Sequence, residues 1–136
     1  MTLLDTSVTV PALLSWHEYH QVALEAAGGC RRLASHVALE TYAVITRLPG
    51  SHRVPGQDVV AMLAHNFPDE PVSLPADHCF ELLATLSRAG LVGGAAYDAL
   101  IGSVACHTGE TLVTMDRRAL PAYQAVGARV EVIGAR

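Results

Sequence analysis

Four acidic residues interrupt the most apolar segments of this chain, where an unpaired charge is costly. They are Asp5, Glu40, Asp98 and Asp116. A carboxylate buried in such a segment needs hydrogen bonds, a cationic partner or a metal ion. The chain contains no lysine, and none of its nine arginines lies within the four segments. The sequence therefore predicts a divalent cation as the shared partner of these carboxylates, and with it metal-dependent hydrolysis.

The size and composition of the chain fit one ordinary globular domain covering residues 1–136. Of the 136 residues, 51% are hydrophobic and only 16% are charged, which is enough for a packed core and argues against disorder. Every apolar stretch is interrupted before about 18 residues, so no membrane-spanning helix is expected. The first residues lack a basic region and a cleavage site, so no secretory signal is predicted.

Three cysteines, at positions 30, 79 and 106, match no zinc or redox spacing. They are expected to be buried thiols in a reducing compartment, which places the protein in the cytoplasm.

The net charge of −4 is a poor match for a simple nucleic-acid-binding protein, which usually carries a basic surface. Two bound divalent ions would cancel this charge and make the acidic site attractive to phosphate. Arg117 and Arg118 directly follow Asp116 and are candidates for contact with RNA phosphates. A purely solvated role fits these two arginines equally well.

Strand-like and helix-like segments alternate along the whole chain. Strands are predicted at 1–7, 31–36, 70–74, 111–115 and 129–133. Helices are predicted at 11–27, 37–48, 57–66, 76–89, 93–107 and 117–126. Such alternation is typical of an α/β protein with a central parallel sheet covered by helices on both faces, a three-layer α/β/α sandwich.

Chain direction brings the four acids to one edge of such a sheet, where open parallel sheets bind their ligands. Asp5 and Asp116 each follow a predicted strand, and Glu40 and Asp98 lie near the starts of helices. Each acid also has a simpler explanation. Aspartates after strands often cap helices, and acids in first turns complement the helix dipole.

Three other phosphate chemistries do not fit this sequence. Haloacid-dehalogenase phosphatases need a second aspartate two residues later, where this chain has Ser7. Response-regulator receivers and P-loop proteins both need a lysine, and the chain has none.

Four short motifs, taken in order, resemble those of the PIN-domain nucleases, and most closely the VapC toxins of VapBC toxin–antitoxin pairs. The motifs are Leu3-Leu4-Asp5-Thr6-Ser7, Leu39-Glu40, Tyr97-Asp98-Ala99-Leu100-Ile101 and Thr114-Met115-Asp116. The resemblance runs from Leu3 to about Val132. It implies an α/β/α sandwich and an endoribonuclease that depends on one or two Mg²⁺ or Mn²⁺ ions.

The resemblance also implies roles and partners. Asp5, Asp98 and Asp116 would hold the metal, and Glu40 would complete the catalytic site directly or through water. Hydroxyls of Thr6, Ser7 and Thr114 would orient these carboxylates. The substrate would be RNA, either tRNA or rRNA, and the protein would form a homodimer and bind a VapB-like antitoxin.

Two other functions remain open from the sequence. One is a PIN-like binding or adaptor module that has lost catalysis. The other is a metal-dependent hydrolase of small phosphoesters.

Overall fold

The computed structural model describes residues 1–134, so the last two residues of the predicted 1–136 domain lie outside the described residues. The strands are β1 (Thr2–Leu4), β2 (Thr111–Thr114) and β3 (Val130–Val132). The α-helices are α1 (Thr6–Leu13), α2 (His20–Ala27), α3 (Ser35–Thr46), α4 (Gly56–Asn66), α5 (Cys79–Ala89), α6 (Ala95–Thr108) and α7 (Leu120–Ala125). Short 3₁₀ turns cover Gly50–His52, Ala76–His78 and Arg117–Ala119.

The three strands form one parallel sheet in the order β1-β2-β3, which confirms the predicted α/β fold with a parallel sheet. In the register, Leu4 lies opposite Val113, and Thr114 lies opposite Val132. Helices α1 and α6 both contact the central strand β2. Because β1 and β2 run in the same direction, the residues that follow them emerge at the same edge of the sheet.

Two of the five predicted strands are wrong. The segments 31–36 and 70–74 meet only in an isolated parallel bridge between Ala34 and Val72. The Val72 N–H donates to the Leu33 carbonyl at 3.0 Å, and the Ser35 N–H donates to the Val72 carbonyl at 2.9 Å. Prolines at positions 71 and 75 have no N–H, so they cannot extend this ladder.

The first strand and the first helix also differ from prediction. β1 ends at Leu4 rather than at residue 7, and α1 begins at Thr6. Pro11 was expected to open a helix, but it lies inside α1, which ends two residues later at Leu13. A proline inside a helix removes one backbone hydrogen bond, which is consistent with the short length of α1.

The main core surrounds the sheet and includes Leu3, Leu4, Leu112 and Val113. Helix α6 is rich in small residues, and it packs closely against α7. A Cβ atom on Gly102 of α6 would lie 2.8 Å from Cγ2 of Val126. The glycine therefore allows α7 to approach α6 more closely than alanine would.

The cysteines only partly match the prediction. Cys30 is half-buried, and burial raises the pKa of its thiol. Cys79 and Cys106 are exposed, so the prediction that all three are buried is wrong. Within residues 1–134, no helix is both long enough and apolar enough to cross a membrane.

Candidate active site

Asp5 lies at the end of β1 and is only 3% exposed. Its backbone N–H continues the sheet by donating to the Val113 carbonyl at 3.1 Å. Asp5 was a candidate helix cap, but its side chain makes no capping hydrogen bond. The carboxylate instead accepts hydrogen bonds from three hydroxyls, those of Ser7 (2.5 Å), Thr114 (2.5 Å) and Tyr123 (2.7 Å). Among residues 1–134, no ion pair includes it.

The backbone fixes the direction of two of these hydroxyls. The Ser7 hydroxyl accepts the Met115 N–H at 2.8 Å, and the Thr114 hydroxyl accepts the Asp116 N–H at 2.9 Å. Each hydroxyl thus accepts a backbone proton and donates its own proton to Asp5, because an ionised carboxylate can only accept. Thr6, the third predicted hydroxyl, contacts Glu40 instead.

Burial raises the pKa of Asp5. The hydroxyl hydrogen bonds oppose this effect, and the negative charge of Asp116 adds to it. Burial, followed by the charge of Asp5, also raises the pKa of Tyr123. The phenol therefore keeps its proton and donates it to the carboxylate.

The pKa of Asp98, in the first turn of α6, is affected by the charges of the other three acids. Burial raises its pKa to about 6, with further contributions from the charges of Asp116, Glu40 and Asp5. Among residues 1–134 its carboxylate has no hydrogen bond or ion pair. The four acids singled out in the sequence therefore share one electrostatic environment, in which the charge of Arg118 only partly offsets the effect of the other three acids on Asp98.

Asp116 follows β2 and is the one of the four that acts as a helix cap. Its Oδ1 accepts the backbone N–H of Arg118 at 3.0 Å at the start of a 3₁₀ turn. The same oxygen lies 3.3 Å from Nε of Arg118, whose side chain is highly exposed. An ion pair this exposed is weak. Arg118 therefore neutralises Asp116 only in part.

Glu40 lies in the second turn of α3, because that helix begins at Ser35 rather than at residue 37. Its Oε1 accepts the Thr6 hydroxyl at 2.6 Å. Its Oε2 lies 3.5 Å from Nε2 of His36. That nitrogen atom is buried and makes no hydrogen bond to the described residues. The imidazole stacks nearly parallel to the ring of Tyr97, with centroids 5.2 Å apart. Neither ring had a role in the sequence-based site.

Comparisons with known proteins identify the family. The sequence matches the PIN domain family over residues 2–125. The chain belongs to the PIN domain family. This confirms the resemblance that the four motifs indicated.

Two curated relatives of this PIN domain come from Mycobacterium tuberculosis. Ribonuclease VapC40 is 39% identical over 129 residues, which cover 95% of this chain and 96% of the relative. Ribonuclease VapC27 is 34% identical over 134 residues, which cover 94% and 93%. Both relatives therefore align over nearly their whole length.

Two solved structures share the fold. A structure of VapBC2 from Rickettsia felis bound to a DNA fragment from their promoter matches with a TM-score of 0.68 and 22% identity, covering 98% of each chain. FitAcB from Neisseria gonorrhoeae matches with a TM-score of 0.65 and 20% identity, covering 96% of each chain. At these identities the likeness shows the fold alone.

The donor chemistry of the PIN-domain site fits a hard divalent cation. Its acidic side chains offer only oxygen, which Mg²⁺ and Mn²⁺ prefer. Among the described residues Asp98 makes no hydrogen bond or ion pair, and the contacts of Asp116 with Arg118 are made through Oδ1. Within residues 1–134, no group of three or more Asp, Glu, His or Cys side chains already forms an arrangement that would hold a metal ion.

A cavity of about 320 Å³ adjoins Asp116, the one acid of the four that lines it. Polar and aromatic groups of Thr6, Ser7, His17 and Tyr19 line it together with the apolar side chains of Val10, Pro11, Val44 and Met115. A mostly apolar space therefore opens beside one carboxylate of the site.

Tyr123 is the buried contact that sequence reasoning missed. It lies 118 residues from Asp5 and belongs to no motif. The available signal is general: a tyrosine in an apolar helix needs a partner for its hydroxyl when it is buried. That signal does not identify the partner.

Proposed function

We propose that this PIN-domain protein is a metal-dependent endoribonuclease that acts as the toxin of a VapBC-type pair. The observation that carries the proposal is Asp98, whose pKa is raised to about 6 by burial and by three neighbouring carboxylates that together lack enough cationic partners. The names of the relatives VapC40 and VapC27, both ribonucleases, support the same reaction class.

Asp5, Asp98 and Asp116 would hold Mg²⁺ or Mn²⁺, as one or two ions. When bound, the metal would supply positive charge at the phosphate and lower the pKa of a water molecule. Ser7 and Thr114 hold Asp5 in place, and Thr6 holds Glu40. Glu40 Oε2 would orient the water that attacks phosphorus and would receive its proton, while the bond to the leaving oxygen breaks.

The substrate is RNA in this proposal, tRNA or rRNA by analogy with the VapC family. Arg117 and Arg118 lie at the rim of the acidic site, and both are exposed. Arg118 contacts Asp116, so it would turn toward a phosphate only when a cation takes over the neutralisation of that acid. Phosphate binding would therefore depend on the metal.

The proposal includes a VapB-like antitoxin and a homodimer. The helices of residues 37–66 offer apolar surface for one of these contacts, since Leu39 and Val60 are well exposed. Large exposed apolar side chains on neighbouring helices favour a protein partner when they form a patch. The solved neighbour is named VapBC2, and a pair of that kind is the type of assembly this proposal implies.

RNA cleavage by metal-loaded protein tests the reaction. Asp98→Asn is the most informative variant, because Asp98 makes no hydrogen bond among the described residues that the change would break. Cleavage in Mn²⁺ should fall by about 100-fold or more, since even the outer partners of metal ligands are worth about 10–100-fold. Asp77→Asn, at a highly exposed position, is the matched control and should cut like the native protein. Equal cutting by native and Asp98→Asn protein would refute the proposed nuclease activity.

A thermal-shift titration tests metal binding without RNA. An ion that binds only the folded protein stabilises it by about 2.7 kcal/mol at a concentration 100 times its dissociation constant. Mn²⁺ should therefore raise the melting temperature, and EDTA should reverse the rise. A melting temperature that neither Mn²⁺ nor EDTA changes would count against the metal site.

A further inference from the structure

Tyr123 connects α7 to the acidic site. Its side chain is 1% exposed, and its hydroxyl donates to Oδ2 of Asp5 at 2.7 Å. The ring belongs to the main core, so its position is fixed by packing. A rigid donor of this kind can hold a carboxylate in one orientation, as the outer partners of metal ligands do.

A count of lone pairs shows what the tyrosine does to Asp5. An ionised carboxylate has about four acceptor positions, two on each oxygen. Thr114 and Tyr123 both donate to Oδ2, and Ser7 donates to Oδ1. Oδ2 is therefore fully used, and one acceptor position remains on Oδ1.

We propose that Tyr123 is a positioning residue of the metal site: its hydroxyl occupies the second acceptor position of Oδ2, so that Asp5 meets a divalent cation through Oδ1. This inference rests on the proposed function, because it assumes that Asp5 is a metal ligand. It adds a residue outside the acidic quartet and its neighbouring hydroxyls. It also gives α7 a part in the site.

Gly102 makes this contact possible. A Cβ atom at this position would lie 3.1 Å from Cδ1 of Tyr123 and 2.8 Å from Cγ2 of Val126. Gly102 lies on α6 one turn after Asp98, so the place where α7 docks is directly below a second candidate ligand. The close approach of the two helices therefore sets the position of the Tyr123 hydroxyl relative to both acids.

A simpler role for the hydrogen bond would be to satisfy a buried hydroxyl. That role predicts a loss of stability when the hydroxyl is removed, with no change in metal affinity. The positioning role predicts weaker metal binding by folded protein. Direct measurement of the Mn²⁺ dissociation constant in the absence of RNA separates the two.

The test variant is Tyr123→Phe, which removes the hydroxyl and keeps the ring. Its Mn²⁺ dissociation constant, measured by calorimetry or by the paramagnetic signal of free Mn²⁺, should rise about tenfold. Val59→Ala is the control for stability, because Val59 is fully buried in a separate cluster with Leu14 and Ile45. This control should lower the melting temperature and leave Mn²⁺ affinity unchanged.

Two further measurements keep the test decisive. Saturating Mn²⁺ should restore RNA cleavage by Tyr123→Phe to within about twofold of the native rate, since the lost contact acts through metal binding. Gly102→Ala retains the hydroxyl but displaces the ring, so it should also weaken Mn²⁺ binding, and it serves if Tyr123→Phe fails to fold. A Tyr123→Phe or Gly102→Ala protein that binds Mn²⁺ like the native chain would overturn the inference and leave the proposed function standing. Native protein that binds no Mn²⁺ would instead remove the proposed function and this inference with it.

Discussion

Two buried carboxylates lie at opposite ends of the same sheet and are neutralised in different ways. Glu110 directly precedes β2 and is 7% exposed, and Asp5 directly follows β1 and is 3% exposed. Glu110 Oε1 accepts from the guanidinium of Arg32 at 2.5 Å. Within residues 1–134, the Asp5 side chain accepts only from the hydroxyls of Ser7, Thr114 and Tyr123. The fold therefore supplies a cation at one end and leaves the other end negative.

The difference separates an acid that has a structural cationic partner from one that the proposed function gives to a metal ion. A buried carboxylate with its own guanidinium needs no further partner, and such a pair is common in ordinary packing. Three hydroxyls satisfy the hydrogen bonding of Asp5 without cancelling its charge. The uncancelled charge of Asp5 also acts on Asp98 and is one of the causes that raise its pKa. The acidic edge is thus destabilised in a way that a bound cation would relieve.

Asp5→Asn should have the largest effect, and it should be on catalysis. The change keeps the shape of the side chain but removes its charge. RNA cleavage in Mn²⁺ should fall by about 100-fold or more, because a direct ligand is worth at least as much as its outer partners. Glu110→Gln is the matched control and should cut RNA at the native rate. If both variants lost activity equally, the two ends of the sheet would not differ in function.

Arg32→Met should have the next largest effect, and it should be on stability. It leaves Glu110 buried without its guanidinium, which costs about 3–5 kcal/mol for a fully buried pair. Arg32 is 38% exposed, so we expect about 1–3 kcal/mol after allowing for solvent screening. Urea unfolding measures this loss, and adding Glu110→Gln to the same protein should recover most of it. A drop in Mn²⁺ affinity for Arg32→Met would contradict the separation of the two ends.

The acidic edge could be predicted because it depends on chain direction. Asp5 and Asp116 follow strands that both run the same way, so any parallel sheet containing them places both acids at one edge. Glu40 and Asp98 lie on helices that begin near that edge, and short motifs mark each of them. These signals are local in sequence, and a single chain displays them without an alignment.

The partners of the buried acids could not be predicted. Arg32 and Glu110 are 78 residues apart, and Tyr123 and Asp5 are 118 apart. No local pattern links such pairs, because each contact is set by how helices dock on the sheet. The same is true of the bridge between Ala34 and Val72, where weak local strand signals gave two strands that the structure lacks.

The stability of metal-free protein should depend on pH through the acidic edge. The pKa of Asp98 is about 6 in the folded protein, above its ordinary value of 3.8. Between these values the folded state holds a proton that the unfolded chain has lost. The contribution of Asp98 to the free energy of unfolding is therefore present at low pH and is lost as pH rises through about 6. The raised pKa of Asp5 acts in the same direction.

We expect this loss to be on the order of 1 kcal/mol, allowing for the solvent that reaches Asp98. Urea unfolding in EDTA at about pH 5 and about pH 7.5 measures it. Asp98→Asn should remove most of the difference, and Mn²⁺ should offset it in the native protein. If the pH dependence of stability were identical in native and Asp98→Asn protein, groups other than Asp98 would be its cause.

Thr6→Val should have the smallest effect, because it tests a partner of the more exposed Glu40. Loss of the 2.6 Å hydrogen bond from Thr6 should slow RNA cleavage about threefold, roughly the net value of one partly exposed hydrogen bond. Thr46→Val is the matched control, since in the described part of the chain that hydroxyl bonds only to backbone carbonyls of its own helix. A loss as large as that of Asp5→Asn would mean that the orientation of Glu40 matters as much as the charge of Asp5. The contrast between the two ends of the sheet would then be incomplete, because a hydroxyl at the acidic edge would do as much for catalysis as the charge it accompanies.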